Sequence, residues 1–160
     1  METLPEGSLK VLDAYSGNSL IWRHILNRRP DTNVVRIDSE DYYKGVYLKG
    51  DNIKFLKTMP LEFNVVDLDA YGIPFKQLEI LFDRKYKGAV YITFIQSLYG
   101  QLNKDLLEFI GYPKRMTEKI PTLFNKDGFG KLKQYLAMKG ISRIKHISTL
   151  NKHYVYINML

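Results

Sequence analysis

Short apolar runs alternate with stretches of helical period along most of the chain. Leu9–Ala14 (LKVLDA), Asn33–Asp38 (NVVRID), Phe63–Asp67 and Ala89–Ile95 (AVYITFI) are rich in β-branched residues and predict buried strands. Tyr47–Lys49 predicts a further short one. Between them, Ser19–Asn27 predicts a helix with Leu20, Ile21, His24 and Ile25 on its apolar side, stopped by Pro30. Asp51–Lys57 reads as a helical turn, Pro74–Tyr86 as a helix carrying Leu78, Ile80, Leu81 and Phe82, and Asp105–Ile110 as a short helix. Asp127–Met138 is amphipathic: Asp127 caps it, Phe129, Leu132, Tyr135 and Leu136 form its apolar side, and Gly140 ends it. Ile141–Ser148 and His153–Ile157 follow each other across a short link and predict an antiparallel hairpin. Strands alternating with helices imply an α/β fold, an open and mostly parallel sheet with helices on both faces; the closing hairpin adds an antiparallel strand. Tyr99–Lys126, punctuated by Gly111, Pro113 and Pro121, reads as a long loop, either a lid or substrate loop or simple surface decoration.

Composition narrows the function classes. A chain of 160 residues is expected to form a single domain, 1–160, with a full core. No apolar run approaches the roughly 20 residues that cross a bilayer. The amino terminus, Met1–Glu6, has neither a basic segment nor an apolar one, so an intracellular, cytoplasmic protein is expected. Cysteine is absent, which excludes disulfides, thiolate metal sites and a cysteine nucleophile. His24, His146 and His153 show no metal-ligand spacing, so no metal is expected. The net charge of +7 is unevenly spread: residues 1–110 balance at −1, residues 111–160 at +8. That asymmetry predicts a polyanionic partner for the carboxyl third, with Lys131, Lys133, Lys139, Arg143 and Lys145 as phosphate contacts, joined by Lys114, Arg115 and Lys119 from the long loop.

Candidate chemistry gathers at the strand ends, where ligands bind in open α/β sheets. The first strand runs into Asp13-Ala14-Tyr15-Ser16-Gly17, where a glycine admits a ligand to the backbone ahead of a helix. A lone glycine in place of G-x-G-x-x-G disfavours a nicotinamide or flavin. Asp38, 21 residues past Gly17, ends the second strand and is placed to take the hydroxyls of a ribose. Asp51 can accept from an exocyclic amine such as that of adenine, or cap the helix that follows. The fourth strand ends in Asp67-Leu68-Asp69-Ala70-Tyr71-Gly72-Ile73-Pro74: two acids, a flat ring and a sharp exit.

Taken in order, these residues resemble a class I S-adenosylmethionine-dependent methyltransferase over nearly the whole chain, from about Leu9 onward. VLDAYSG is similar to the family's first cofactor motif, VVRIDSE to its ribose-binding strand end, GDNIKFL to its adenine turn, and DLDAYGIP to its catalytic motif. The last looks most like the D-x-D-P-F-G-S-P of tRNA guanine dimethyltransferases. The resemblance implies a Rossmann-like fold, S-adenosyl-L-methionine as cofactor, and cofactor contacts at Asp13, Ala14, Tyr15, Ser16, Gly17, Asp38, Ser39, Asp51, Asn52 and Asp67. It implies a catalytic carboxylate at Asp69 or Asp67, with Tyr71 stacking on the acceptor base and Pro74 beside it. Lys114, Arg115, Lys131 and Lys133 are the substrate-binding lysines and arginine expected from charge. The family's second glycine stands here as Asn18-Ser19, and the proline after the catalytic Asp as Ala70. The expected activity is methyl transfer to a base amine of RNA or DNA. A methyltransferase for proteins or small molecules, a cofactor- or nucleic-acid-binding protein that has lost catalysis, and a nicotinamide oxidoreductase are the alternatives.

Overall fold

The strands form one seven-stranded sheet in the computed structural model, which describes residues 4–40, 46–96, 101–150 and 152–160. In chain order the elements are β1 (Lys10–Asp13), α1 (Leu20–Leu26), β2 (Asn33–Asp38), β3 (Leu48–Lys49), α2 (Asn52–Thr58), β4 (Val65–Leu68), α3 (Phe75–Asp83) and β5 (Gly88–Ile95). Then come α4 (Lys104–Phe109), α5 (Lys114–Lys119), a 3-10 turn (Pro121–Phe124), α6 (Gly128–Met138), β6 (Ile144–Thr149) and β7 (Lys152–Met159). The sheet order is β3-β2-β1-β4-β5-β7-β6. The first five strands pair in parallel, and β7 runs antiparallel to both its neighbours. The chain steps outward from β1 to β3, then returns to place β4 on the other side of β1. That reversal opens a crevice at the carboxyl ends of β1 and β4, where a Rossmann-like sheet binds its ligand.

Alternation along the strands gives each face its own core. Leu12, Val66, Leu68, Val90 and Ile92 face the helices α2, α3, α4 and α6, against Leu56, Leu78, Leu81, Leu106, Leu132 and Leu136. Tyr135 of α6 is fully buried, with Phe75, Phe109 and Phe82 edge-on at 5.1, 5.2 and 6.0 Å and its hydroxyl bonded to Glu79. The other face is covered by α1 and carries the smaller cluster Leu9, Val11, Trp22, Val65 and Ala89.

Several local expectations change. On α1 the inward residue is Trp22, with Ile25 half-buried; Leu20 and Ile21 are 68% and 54% exposed. A single helical turn spaced as Trp22 and Ile25 covers the small cluster, and the large indole takes the inward position. The stretch expected to be a loop, Tyr99–Lys126, is largely helical over its described part; Tyr99 and Gly100 lie outside the described residues. Asn103 caps α4 through Asp105 N at 2.8 Å, and Leu102, Leu106, Leu107, Ile110 and Phe124 are buried, so this segment is core. β6 begins at Ile144, because the Ile141 amide bonds back to the Leu136 carbonyl at 2.9 Å and closes the end of α6. No helix among the described residues is long and apolar enough to cross a membrane.

Gly88 opens β5 at φ +154°, and a Cβ there would meet the Tyr86 hydroxyl and lie 2.9 Å from the Asn64 carbonyl oxygen. That carbonyl also accepts from Ala89 N and cannot retreat freely. Gly88→Ala is therefore expected to lower stability by about 1–3 kcal/mol, read as a lower urea midpoint at unchanged slope.

Candidate functional site

Register brings the acids together. Asp13 of β1 sits directly opposite Asp67 of β4, and both side chains share the α1 face with Val11 and Val65. Asp67 lies inside β4, not beyond its end, and is 8% exposed; Asp13 is 3% exposed. The Trp22 indole N–H donates to Asp67 Oδ2 at 2.7 Å. Asp13 Oδ2 accepts from the Ser19 hydroxyl at 3.2 Å, and Ser19 Oγ accepts from Arg36 Nε at 2.9 Å. Burial pushes Asp67 up to about 8, reinforced by the charge of Asp13 and offset in part by the Trp22 bond. Burial likewise pushes Asp13 up to about 6, with the Ser19 hydroxyl and Arg36 opposing it. Asp67 thus holds its proton at neutral pH. Asp69, two residues on and just past the strand, is only partly buried.

The glycine turn between β1 and α1 is fixed by its neighbours. Ala14 N donates to the Asp67 carbonyl and Ser16 N to the Ile37 carbonyl, both at 3.0 Å. Gly17, at φ +45°, donates its amide to Asp38 Oδ2 at 2.7 Å. The second oxygen of Asp38 accepts from Glu40 N at 2.9 Å. Asn52 braces the turn from below: its Nδ2 donates to the Ala14 carbonyl and its Oδ1 accepts from Gln77 Nε2, each at 2.9 Å. Asp51 caps α2 through Ile53 N at 2.9 Å.

These groups surround a cleft of about 700 Å³. Of the residues expected at the cofactor, Asp13, Tyr15, Ser16, Gly17, Asp38 and Asp67 line it, and so do the catalytic candidates Asp69 and Tyr71. Tyr71 is fully exposed, its ring open to a ligand. Ala14, Ser39, Asp51 and Asn52 do not line it: Ala14 is buried on the opposite face, and Asn52 spends both ends of its amide as a brace. Pro74 is buried at the head of α3. The cleft has room and free polar groups for the expected cofactor. At its wall Ser16 Oγ is buried with no hydrogen-bond partner among the described residues, a Cβ on Gly17 would project into open space, and Asp38 stands at the neighbouring strand end.

Of the expected phosphate contacts, Lys145 lines a second pocket on the α1 face, and those on α5 and α6 lie elsewhere. Lys114 and Arg115 are exposed on α5; on α6, which packs on the face opposite α1, Lys133 is exposed and Lys131 half-buried. Lys131 Nζ bonds the Lys126 carbonyl, Lys133 lies 5.1 Å over the Phe129 ring, and Lys139 pairs with Glu79 at 3.0 Å. Sequence reasoning passed over Trp22, Ser19 and Ile21, all of which line the cleft. A signal was present for the first: it is the one tryptophan of the chain, one helical turn from Ile25.

The sequence matches no protein-family profile and no curated protein. Solved structures do share its fold. Precorrin-6y C5,15-methyltransferase from Geobacter metallireducens GS-15 superposes over 96% of this chain and 81% of its own, at 10% identity and TM-score 0.59. A candidate rRNA methylase from Clostridium thermocellum matches over 95% and 87%, at 12% identity and TM-score 0.55. CurJ carbon methyltransferase matches over 99% of this chain, which spans half of the CurJ length, at 11% identity and TM-score 0.55. The fold is the Rossmann-like fold of class I methyltransferases.

Proposed function

We propose that the chain is an S-adenosylmethionine-dependent methyltransferase whose acceptor is an amine of a nucleic-acid base. One observation carries this reading: the switch-point cleft puts the glycine turn, Asp38 and a partly exposed carboxylate beside an open aromatic ring within one space. The methyltransferases among the fold's neighbours support the class, and the candidate rRNA methylase supports the acceptor. When bound, S-adenosylmethionine supplies a methyl group on a sulfonium. The protein's task is then to position an amine in line with it. Asp13, buried behind the turn, holds Ser19, and Asp38 holds Gly17. Asp69 at the mouth accepts a hydrogen bond from the acceptor amine, which concentrates the lone pair on nitrogen, and passes the released proton to water. Protonated Asp67 is a donor and serves this role poorly. Tyr71 offers its face to the base.

Calorimetry tests the cofactor. S-adenosylmethionine and S-adenosylhomocysteine are expected to bind and NAD not; binding of NAD alone would overturn the reading. Asp38→Ala removes the ribose contact and frees the Gly17 amide, and should weaken S-adenosylhomocysteine by about 1.5–3 kcal/mol. Transfer of labelled methyl to RNA and DNA but not to protein tests the acceptor.

A further inference from the structure

The α1 face of the sheet carries a row that runs from the acids to a lysine. Register aligns Asp13 with Asp67, Asp67 with Tyr91, Tyr91 with Tyr156, and Tyr156 with Lys145. The next row aligns Thr93, Tyr154 and Ile147. Side chains at register partners share a face, so these residues form a floor of tyrosines and isoleucine over β5, β7 and β6. Ile21, Trp22 and Ile25 of α1, with Leu4, form one wall of a pocket of about 330 Å³ on this floor. It meets the cofactor cleft at Ile21, Trp22, Asp67 and Asp69. Ile147 is 71% and Tyr154 43% exposed. The Tyr91 and Tyr156 rings lie 5.3 Å apart. Lys152 Nζ stands 4.7 Å over the Tyr154 ring and Lys145 Nζ 5.9 Å from that of Tyr156.

We infer that this pocket, not the α6 surface, is the acceptor site, and that its occupant is one base of a single-stranded nucleic acid whose phosphates run past Lys145 and Lys152. The inference rests on the methyltransferase reading and names where its acceptor sits. Three features select the occupant. The floor is aromatic, and base faces stack on aromatic side chains regardless of sequence. The rim on the β6–β7 side is cationic, matching a phosphate backbone. The inner end is acidic, with Asp69 at the junction to the cleft, where an exocyclic amine would find an acceptor beside the methyl donor. A duplex base could not enter, so the strand must be single or the base extruded. Lys133 faces the other side of the sheet, over Phe129, and would be bypassed.

The test uses an oligouridylate and an oligothymidylate octamer, each with a central 2-aminopurine, at low salt and with S-adenosylhomocysteine present. Emission should be quenched on binding to the wild-type chain as the base stacks. Tyr154→Ala and Lys145→Glu should each weaken binding about tenfold or more, while Lys133→Glu leaves it unchanged. Preference for one octamer would assign the strand as RNA or DNA. Binding without quenching, or weakened by Lys133→Glu and not by the pocket variants, would overturn the inference. Calorimetry with S-adenosylhomocysteine runs alongside. If the cofactor product binds and the octamers ignore the pocket variants, the pocket assignment fails and the methyltransferase reading stands. If the octamers need the pocket and the cofactor product does not bind, the methyltransferase reading fails, and with it the pocket's role as acceptor site; it remains a base-binding site only.

Discussion

Asp69→Ala is expected to lower kcat for methyl transfer by about 10²–10⁴-fold, while S-adenosylhomocysteine binds nearly as before. The expectation follows from where the two acids of the fourth strand come to rest. Asp67 lies within β4, beneath Trp22 and against Asp13, and keeps its proton at neutral pH. Asp69 stands just past the strand, partly exposed, where the switch-point cleft and the tyrosine-floored pocket meet. Only Asp69 is free to accept from an amine that approaches from solvent. The loop behind it is pinned, since Ala70 N donates to the Leu68 carbonyl at 2.8 Å and Ile95 N to the Gly72 carbonyl at 3.0 Å. Removing the carboxylate therefore should not move the loop. Single-turnover rates with a proven acceptor, beside calorimetry, separate the chemistry from cofactor binding. Full turnover in Asp69→Ala together with loss in Asp67→Asn would transfer the role to Asp67.

The sheet was legible because its central strands are apolar on both faces. Val65, Val66 and Leu68 or Val90 and Ile92 have no other way to leave water than a sheet covered on two sides. The closing hairpin was legible from its short link; its insertion order was not, because β7 pairs with β5 across the whole α4–α6 segment. Asp105–Ile110 was legible as a short helix, now α4; the rest of 101–126 misled because α5, at six residues, is too short to show a full apolar period. Prolines there read as loop punctuation, yet Pro113 stands at the N-cap of α5. Asp67 was placed one residue too near the strand end, and that small shift decides between a solvated and a buried acid.

Serine at position 19, where the backbone takes a conformation that favours glycine, has a physical account. Ser19 takes φ +50°, a left-handed conformation that costs a side-chain residue about 1–2 kcal/mol. Its hydroxyl is held between Arg36 Nε and Asp13 Oδ2, which offsets that cost. No spacing rule reveals such a tie, because Arg36 comes from β2 and Asp13 from β1. The Trp22–Asp67 bond is hidden in the same way: the partners are 45 residues apart, and only the packing of α1 over β4 joins them.

That buried pair makes stability depend on pH in an unusual direction. An aspartate in the unfolded chain loses its proton near 3.8, whereas folded Asp67 holds it to about 8. Between those values the folded state binds the extra proton, so each step up in pH favours unfolding. Asp13, raised to about 6, adds to the slope in the lower part of the window. Above about 8 both states are ionised at Asp67 and its contribution levels off. Urea midpoints should accordingly fall from pH 4 to pH 8. The ordinary case, a carboxylate stabilised by partners, would make them rise. Asp67→Asn keeps an oxygen for the Trp22 indole N–H and removes the titration, so it should flatten the curve and raise stability at pH 8 by several kcal/mol relative to the parent. Trp22→Phe should carry the fall to higher pH, since the indole bond to that carboxyl, which favours its charged form, is then gone. A midpoint that climbs through this window, or an Asp67→Asn curve parallel to the parent, would show that Asp67 is ionised in the folded protein and would return it to contention as the amine's acceptor.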